Sequence, residues 1–443
     1  MHNWLRRIKE LRRYPSLAAG LILMLLLVAM ALYPVVAIPY SEAILLWRGG
    51  PGMWEDNPKT AQPVWTDWFT SDRLPRTIIV TRDDGTMTAE PIGDDMKQVE
   101  IVLPFRYDYD RFPSELTLRT GVAGLEDFAV ISVYWRSSTG ELITLQENRR
   151  ISASYTYRIS QDADLRNRLQ GLPHRMLFVD PQNREVSLKG DYELIVNAEL
   201  REGEELDATL LAYGQIHGPA GTDHRRRDLM VALLWGAPIG LLFGVLAAIG
   251  AQVSTFILGG IGTWFGGKTD AVFQRLVELT MILPMLPILI VFGHFYTTSI
   301  WVMLGLIIAL NVFSASMKVY RAMFLQAKEA PYFEAAQAYG AGSWRMIFRY
   351  LLPRLLPVLL PQFVLVIPSF VFLEASLAVL GLGDPSLPTW GKIIYDARAN
   401  DALLLGQYYW VLQPAALLMW TGISFALVGY TLDRIFNPRL RTV

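Results

Sequence analysis

Residues 331–353 read Pro331-Tyr332-Phe333-Glu334-Ala335-Ala336-Gln337-Ala338-Tyr339-Gly340-Ala341-Gly342-Ser343 and run on to Leu351-Leu352-Pro353, a polar interlude in an apolar half-chain. The pattern predicts a helix, a tight turn and a second amphipathic helix. Pro331 suits the first helical turn, Gly340 and Gly342 allow backbone angles closed to other residues, and Ser343 is placed to cap the second helix. Ala335 and Ala336 let a partner surface approach closely, with Glu334 beside them for a basic group or a backbone amide. An amphipathic connector resting on lipid headgroups has the same periodicity, so the pattern alone leaves both readings open.

Outward from this segment the chain is built for a bilayer. Apolar residues make up 52% of its 443 positions, and its mean hydropathy of +0.28 exceeds that of an ordinary soluble domain. Two stretches of 39 positions, 229–267 and 279–317, lack Asp, Glu, Lys and Arg. The first predicts a surface helix broken at Gly236-Ala237-Pro238 and a span over about 238–260; the second predicts two spans joined near His294-Phe295-Tyr296-Thr297-Thr298. Further spans are expected at about 355–380 and 404–432. A helix over 16–38 follows a basic cytoplasmic N-terminus, residues 1–15, that holds Arg6, Arg7, Lys9, Arg12 and Arg13. Val35-Val36-Ala37 resembles a signal-peptidase site, but 23 uncharged residues exceed a secretory apolar region. Six spans are expected.

Charge divides the chain. Residues 40–228 hold 22 basic and 31 acidic side chains, net -9, and the remainder holds 18 and 10, net +8. The first segment is expected outside and the basic connector 318–354 inside, with both termini cytoplasmic. Residues 39–228 are read as a periplasmic β-rich domain, a sandwich of antiparallel strands. Strands are predicted near 77–81, 99–103, 128–135, 151–158 and 192–197, with turns at Asp84-Gly85, Thr139-Gly140 and Lys189-Gly190-Asp191. Residues 229–443 form the rest of the membrane domain.

Three features bear on chemistry. Gly262-Thr263-Trp264-Phe265-Gly266-Gly267-Lys268-Thr269 satisfies the spacing of a phosphate-binding P-loop, yet it ends a membrane-length helix where the mechanism needs a strand, and Trp264 and Phe265 crowd the cradle. It is read as a glycine-rich turn at the membrane surface. Glu374 is a carboxylate inside an apolar span and is expected to face a pathway or a neighbouring subunit. The absence of cysteine excludes disulfides, thiolate metal sites and a cysteine nucleophile.

Glu334-Ala335-Ala336, Gly340 six residues after the glutamate, and Leu352-Pro353 ending nineteen after it resemble the EAA loop of permease subunits in ATP-binding-cassette importers. His217-Gly218-Pro219-Ala220-Gly221-Thr222-Asp223, ending in Arg227-Asp228, resembles the approach to the second span in oligopeptide and dipeptide permeases of the C-subunit type. Glu374-Ala375-Ser376-Leu377, Leu380-Gly381-Leu382-Gly383, Pro388-Thr389-Trp390-Gly391 and Asn437-Pro438-Arg439-Leu440-Arg441 resemble later parts of the same family. The resemblance is loose over 1–38, close over 217–443 and absent from the insert. Arg226 stands where the family has a glycine, and Tyr350 where an isoleucine is common.

The resemblance implies a six-helix permease of the type I importer fold, itself no enzyme, forming half of a channel for peptides or peptide-like solutes in a bacterial inner membrane. It implies a second permease subunit, two ATP-binding subunits that use ATP and Mg, and a periplasmic solute-binding protein; no nucleic acid and no metal or cofactor on this chain are expected. Glu334, Ala335, Ala336, Gly340, Leu352 and Pro353 would carry the contact with the ATPases. Docking of the solute-binding protein is the preferred role of the insert, through its acidic side chains and Trp54, Trp65, Trp68 and Phe69, aromatics that equally suit a membrane interface. Capping the channel mouth and binding substrate are the other roles. A self-sufficient channel or secondary transporter, or a membrane-anchored sensor, is the alternative class.

Overall fold

A computed structural model describes residues 15–436 apart from 51, 93 and 94; the basic N-terminal cluster and the Asn437–Arg441 ending lie outside the described residues. Two compact units emerge, residues 1–48 with 231–443, and Gly49–Met230.

In the helical unit α1, Pro15–Ala37, is long and apolar enough to cross a membrane. Its small Gly20 lets α1 pack close to the last helix, since a Cβ there would stand 2.7 Å from Leu427 Cβ, and the Trp420 indole donates to Leu23 O at 3.1 Å. The short helix α2, Tyr40–Arg48, follows.

The second unit holds nine strands, β1 Ile78–Thr81, β2 Thr86–Pro91, β3 Met96–Tyr107, β4 Glu115–Ala123, β5 Ala129–Arg136, β6 Leu142–Ile151, β7 Ser154–Tyr157, β8 Gly190–Arg201 and β9 Glu205–Tyr213, with α3 Ala163–Leu169 and α4 Pro173–Met176 between β7 and β8. They form a four-stranded sheet, β1-β9-β4-β7, and a five-stranded sheet, β2-β3-β8-β5-β6. Every ladder is antiparallel. Alternate residues point inward, as in β5, where Ala129, Ile131, Val133 and Trp135 are buried and their neighbours are not. The inward faces of both sheets share one core, with Phe105, Tyr107, Trp135, Phe178 and Tyr192 packed ring to ring at its centre. Edge strands carry protection against further pairing: Pro91 ends β2, and Arg149 and Arg150 lie on β6.

The helical unit resumes with α5, one continuous helix over Leu229–Phe265. The expected break at Gly236-Ala237-Pro238 does not occur; Pro238 sits inside the helix, and the irregularity is a π-turn at Ile249–Val253. Helices α6 Gly267–Ile282 and α7 Met285–Phe295 meet at 76°, and α8 Ile300–Asn311 and α9 Ser316–Lys328 at 47°. Pro284 lies in the sharper bend and lacks the N–H that would continue the helix. Next come α10 Pro331–Ala338, α11 Ser343–Leu382, α12 Trp390–Ala399 and α13 Tyr409–Phe436. Four helices are long and apolar enough to span a membrane, and each bent pair counted as one span raises the number to six. Pro357, Pro361 and Pro368 lie inside α11, which carries π-turns at Met346–Leu351 and Ala378–Leu382 and leaves helical geometry at Gly381, φ +87°.

The helices pack through missing side chains. A Cβ on Gly236 would lie 2.3 Å from the Trp390 ring, one on Gly244 2.5 Å from Val371, and one on Gly391 2.7 Å from the Ala375 backbone. The Trp390 indole also donates to Leu233 O at 2.9 Å.

In the sandwich, Trp135→Ala removes the largest ring from the central cluster and is expected to cost about 3–5 kcal/mol. Limited proteolysis of the purified full chain should then cut within 49–230 well before the helical unit, and wild-type resistance there would contradict this packing.

Candidate functional site

The segment 331–353 folds around one anchoring residue. Pro331 opens α10, as its fixed φ allows, and Phe333 is the residue of α10 that is buried. It joins a cluster with Trp264, Phe324, Met346, Ile347, Leu351 and Leu352. Lys328 fastens the same corner, donating to Trp264 O at 3.0 Å and lying 5.2 Å above the Trp264 ring. Glu334 and Ala335 are exposed on the other face of α10, Ala336 is half-buried, and Tyr339 is 92% exposed.

The turn is made by Gly340, at φ +79° with nothing within 4 Å of a Cβ built on it. Gly342 has an ordinary extended backbone at φ -70°, so its expected special angle is absent. The capping role expected of Ser343 also falls away: Gly342 holds the cap position, Ser343 is the first helical residue, and no side chain caps the helix. Leu352 is buried and Pro353 exposed. The site residues thus separate into an anchoring set, Phe333 and Leu352, and a presented set, Glu334, Ala335, Gly340 and Pro353. Phe333 was missed in the sequence because an aromatic beside the motif carries no signal of its own.

The P-loop spacing belongs to a helix corner. Helix α5 ends at Phe265 and α6 begins at Gly267, with Gly266 and Gly267 both at positive φ. Asp270, in the first turn of α6, holds Arg321 through two guanidinium nitrogens at 2.5–2.9 Å. No strand feeds the turn, so the phosphate cradle is not built.

Glu374 is buried within its own unit. Thr389 accepts the Lys392 N–H as cap of α12. A cavity of about 20 Å³ beside Glu374, lined also by Thr298 and Asp384, has room for about one water.

A wider cavity of about 330 Å³ opens between α5, α9 and α11, lined by Gln252, Ser316, Gln362 and Ser369 among apolar residues. Gln252 sits in the π-turn of α5, and its Oε1 accepts from the Tyr320 hydroxyl at 2.9 Å. Polar amides at membrane depth are costly unless they face water, a ligand or each other. The sequence signal for this site was the two glutamines within apolar runs, and it went unread.

The strap 217–228 is held by its own side chains. Thr222 Oγ1 donates to Pro58 O at 2.7 Å and accepts the Ala61 N–H at 2.9 Å. Asp223 and Arg227 form a buried ion pair at 2.6 Å. Burial pushes the Asp228 carboxyl up and the His217 imidazole down, and the charge of each draws the other back. Arg226 has φ +66°, the left-handed region that favours glycine, which explains the glycine of the resembling family at this position. The arginine is compensated by contacts: it pairs with Glu115, donates to Asn57 O at 2.6 Å and stacks 4.2 Å from the Tyr213 ring.

Residues 240–442 match the family described as binding-protein-dependent transport system inner membrane component. The chain is 31% identical to the dipeptide transport system permease protein of Bacillus subtilis, over 50% of this chain and 68% of that protein. It is 31% identical to the oligopeptide transport system permease protein of the same organism, over 50% and 72%. The peptidoglycan transport system permease protein of Agrobacterium fabrum is 30% identical over 49% of this chain, which spans only 56% of that relative's length.

Arg226→Gly should relieve about 1 kcal/mol of backbone strain that Arg226→Ala retains, while both lose the same contacts. The glycine variant should therefore unfold at the higher temperature in detergent; equal midpoints would remove the strain argument.

Proposed function

We propose, from the premise that the chain belongs to the family of permease subunits of peptide-type ATP-binding-cassette importers, that it forms one half of a pathway for peptides or peptide-like solutes across a bacterial inner membrane. The other half is a second permease, with two ATP-binding subunits on the cytoplasmic side and a solute-binding protein outside. Six spans with both termini cytoplasmic satisfy this arrangement and put 331–353 on the side of the ATPases. ATP and Mg act on those subunits, and this chain is a non-catalytic transport component.

The observation that carries the reading is the build of α10. One face is fixed to α5, α9 and α11 through Phe333 and the Trp264–Lys328 corner, while Glu334, Ala335 and the Gly340 turn stand exposed. A partner that seats the exposed face and shifts it drags the membrane helices with it, because a packed core moves as a body and does not deform smoothly. The same design has no use in a self-sufficient channel or a sensor.

Gly340→Val tests coupling without filling any packed space, since a Cβ there meets nothing within 4 Å and only the positive φ is disallowed. The variant should co-purify with its partners and keep ATPase activity in the complex while uptake falls to background. Normal uptake would sink the coupling role, and a chain that purifies alone would sink the importer reading.

The cavity of Gln252, Ser316, Gln362 and Ser369 is the proposed contact with passing solute. Neutral amides and hydroxyls suit peptide backbones of any sequence because they ask only for N–H and C=O groups. Gln362→Leu should reduce peptide uptake about tenfold, the loss of one or two hydrogen bonds, with basal ATPase activity and assembly unchanged. Uptake equal to wild type would remove Gln362 from the pathway.

A further inference from the structure

The insert carries three large aromatics on one short helical turn, residues Val64–Phe69. Trp68 and Phe69 are each 81% exposed and Trp65 is 39% exposed. The turn is preorganised. Trp65 and Phe69 meet edge to face at 6.3 Å, and Asp67, the one acid of the turn, is folded back to accept the Leu74 N–H at 3.0 Å.

Its place along the chain is fixed by hydrogen bonds. The Val64 N–H donates to Gly218 O at 2.9 Å, and the Trp65 indole donates to Pro219 O at 3.0 Å. Two residues further on, Gly221 O accepts the N–H of Leu229, the first residue of α5. Two residues of chain span about 7 Å at most. The aromatics are therefore tied to the point where the strap becomes a membrane-crossing helix.

A second observation comes from the basic triplet of the same strap. Arg226 is spent on Glu115 and Arg227 on Asp223. The Arg225 side chain is exposed and has no ion-pair or hydrogen-bond partner among the described residues, while its backbone N–H donates to Asp223 Oδ1 at 2.8 Å. Aromatic rings with a cation a few residues away are the side chains that settle at the level of lipid headgroups, rings at the acyl boundary and guanidinium at the phosphates.

We infer that Trp65, Trp68, Phe69 and Arg225 form an interfacial anchor that seats the outer domain on the outer leaflet, with an anionic phospholipid as its ligand. This takes the membrane-interface reading of aromatics that equally suited a docking surface for a soluble protein. The inference needs only that α5 crosses a membrane, and stands or falls apart from the cargo and the ATPases.

The native absence of cysteine makes the test direct. Trp68→Cys, Phe69→Cys and, as a control on the β5–β6 turn, Thr139→Cys are each labelled with a nitroxide in the full chain, reconstituted in vesicles of phosphatidylethanolamine and phosphatidylglycerol. Collision with oxygen relative to a water-soluble nickel chelate should be about fivefold greater at 68 and 69 than at 139, because oxygen concentrates in the acyl region and the chelate stays in water. Equal ratios at all three sites would overturn the anchor. So would labels that remain open to the chelate in vesicles and close only when a solute-binding protein is added. Should the cysteine variants fail to fold, Trp68→Phe in unlabelled protein serves instead: lipids brominated near the headgroup should quench a smaller share of its tryptophan emission than of the wild type, and an unchanged share would count against the anchor. Arg225→Gln should make the 68 label indifferent to phosphatidylglycerol content, whereas the native arginine deepens it as that lipid is added; no dependence in either protein would remove the phosphate contact.

Discussion

The helical unit depends on one ring placed where a side chain is missing. Trp390 fills the space over Gly236, at a distance that no Cβ could tolerate, and its indole N–H satisfies Leu233 O. The residues on either side of Trp390 complete the lock. Thr389 caps α12, while Gly391 lets α12 approach the backbone of Ala375 on α11. Three helices are thereby fixed by three consecutive positions of one motif and a glycine on each contact. A buried carboxylate is expensive in such a setting, and Glu374 lies one residue before Ala375, within this joint.

A second constraint acts at the start of α5. The strap must end in a turn with positive φ, and a glycine meets that demand without cost. This chain has Arg226 there and holds it through Glu115, Asn57 and Tyr213, all of which belong to the insert. The departure from the family pattern and the presence of the β domain are therefore linked: the arginine is tolerable because the domain supplies an acid, a carbonyl and a ring. Two of the three arginines at this entry, Arg226 and Arg227, are internal fastening.

How much was legible follows from which signals are local. Uncharged runs gave the membrane helices, since the cost of charge in lipid is a property of composition. They could not show that α5 continues through Pro238 or that α11 keeps three prolines inside it, because proline in a membrane helix is tolerated according to tertiary surroundings that composition does not report. In the insert, β1, β3, β5, β7 and β8 announced themselves by β-branched and aromatic runs. Strands β4 and β9 were hidden by Arg119, Asp207 and other polar residues on their outward faces, and β2 and β6 by the polar character of edges. At the coupling segment, Gly340 was read correctly from the turn it had to make. Gly342 and Ser343 were over-read, since a glycine or serine near a turn permits a conformation without requiring it.

The coupling segment and the strap show the same division of labour at opposite ends of the permease sequence. In each, a buried set fixes the element to its own unit, Phe333 with Leu352 in one and Thr222 with Asp223 and Arg227 in the other. In each, other side chains stay exposed, Glu334 with Ala335 in one and Arg225 in the other. Exposed apolar or charged groups of this kind contribute nothing to folding, and a tightly packed element moves only when its neighbours do. In α10 the buried set packs against α5, α9 and α11, and the element need not be stable alone. That is why eight residues suffice for α10: its helix is held by what lies behind it, and its sequence is free to serve what lies in front.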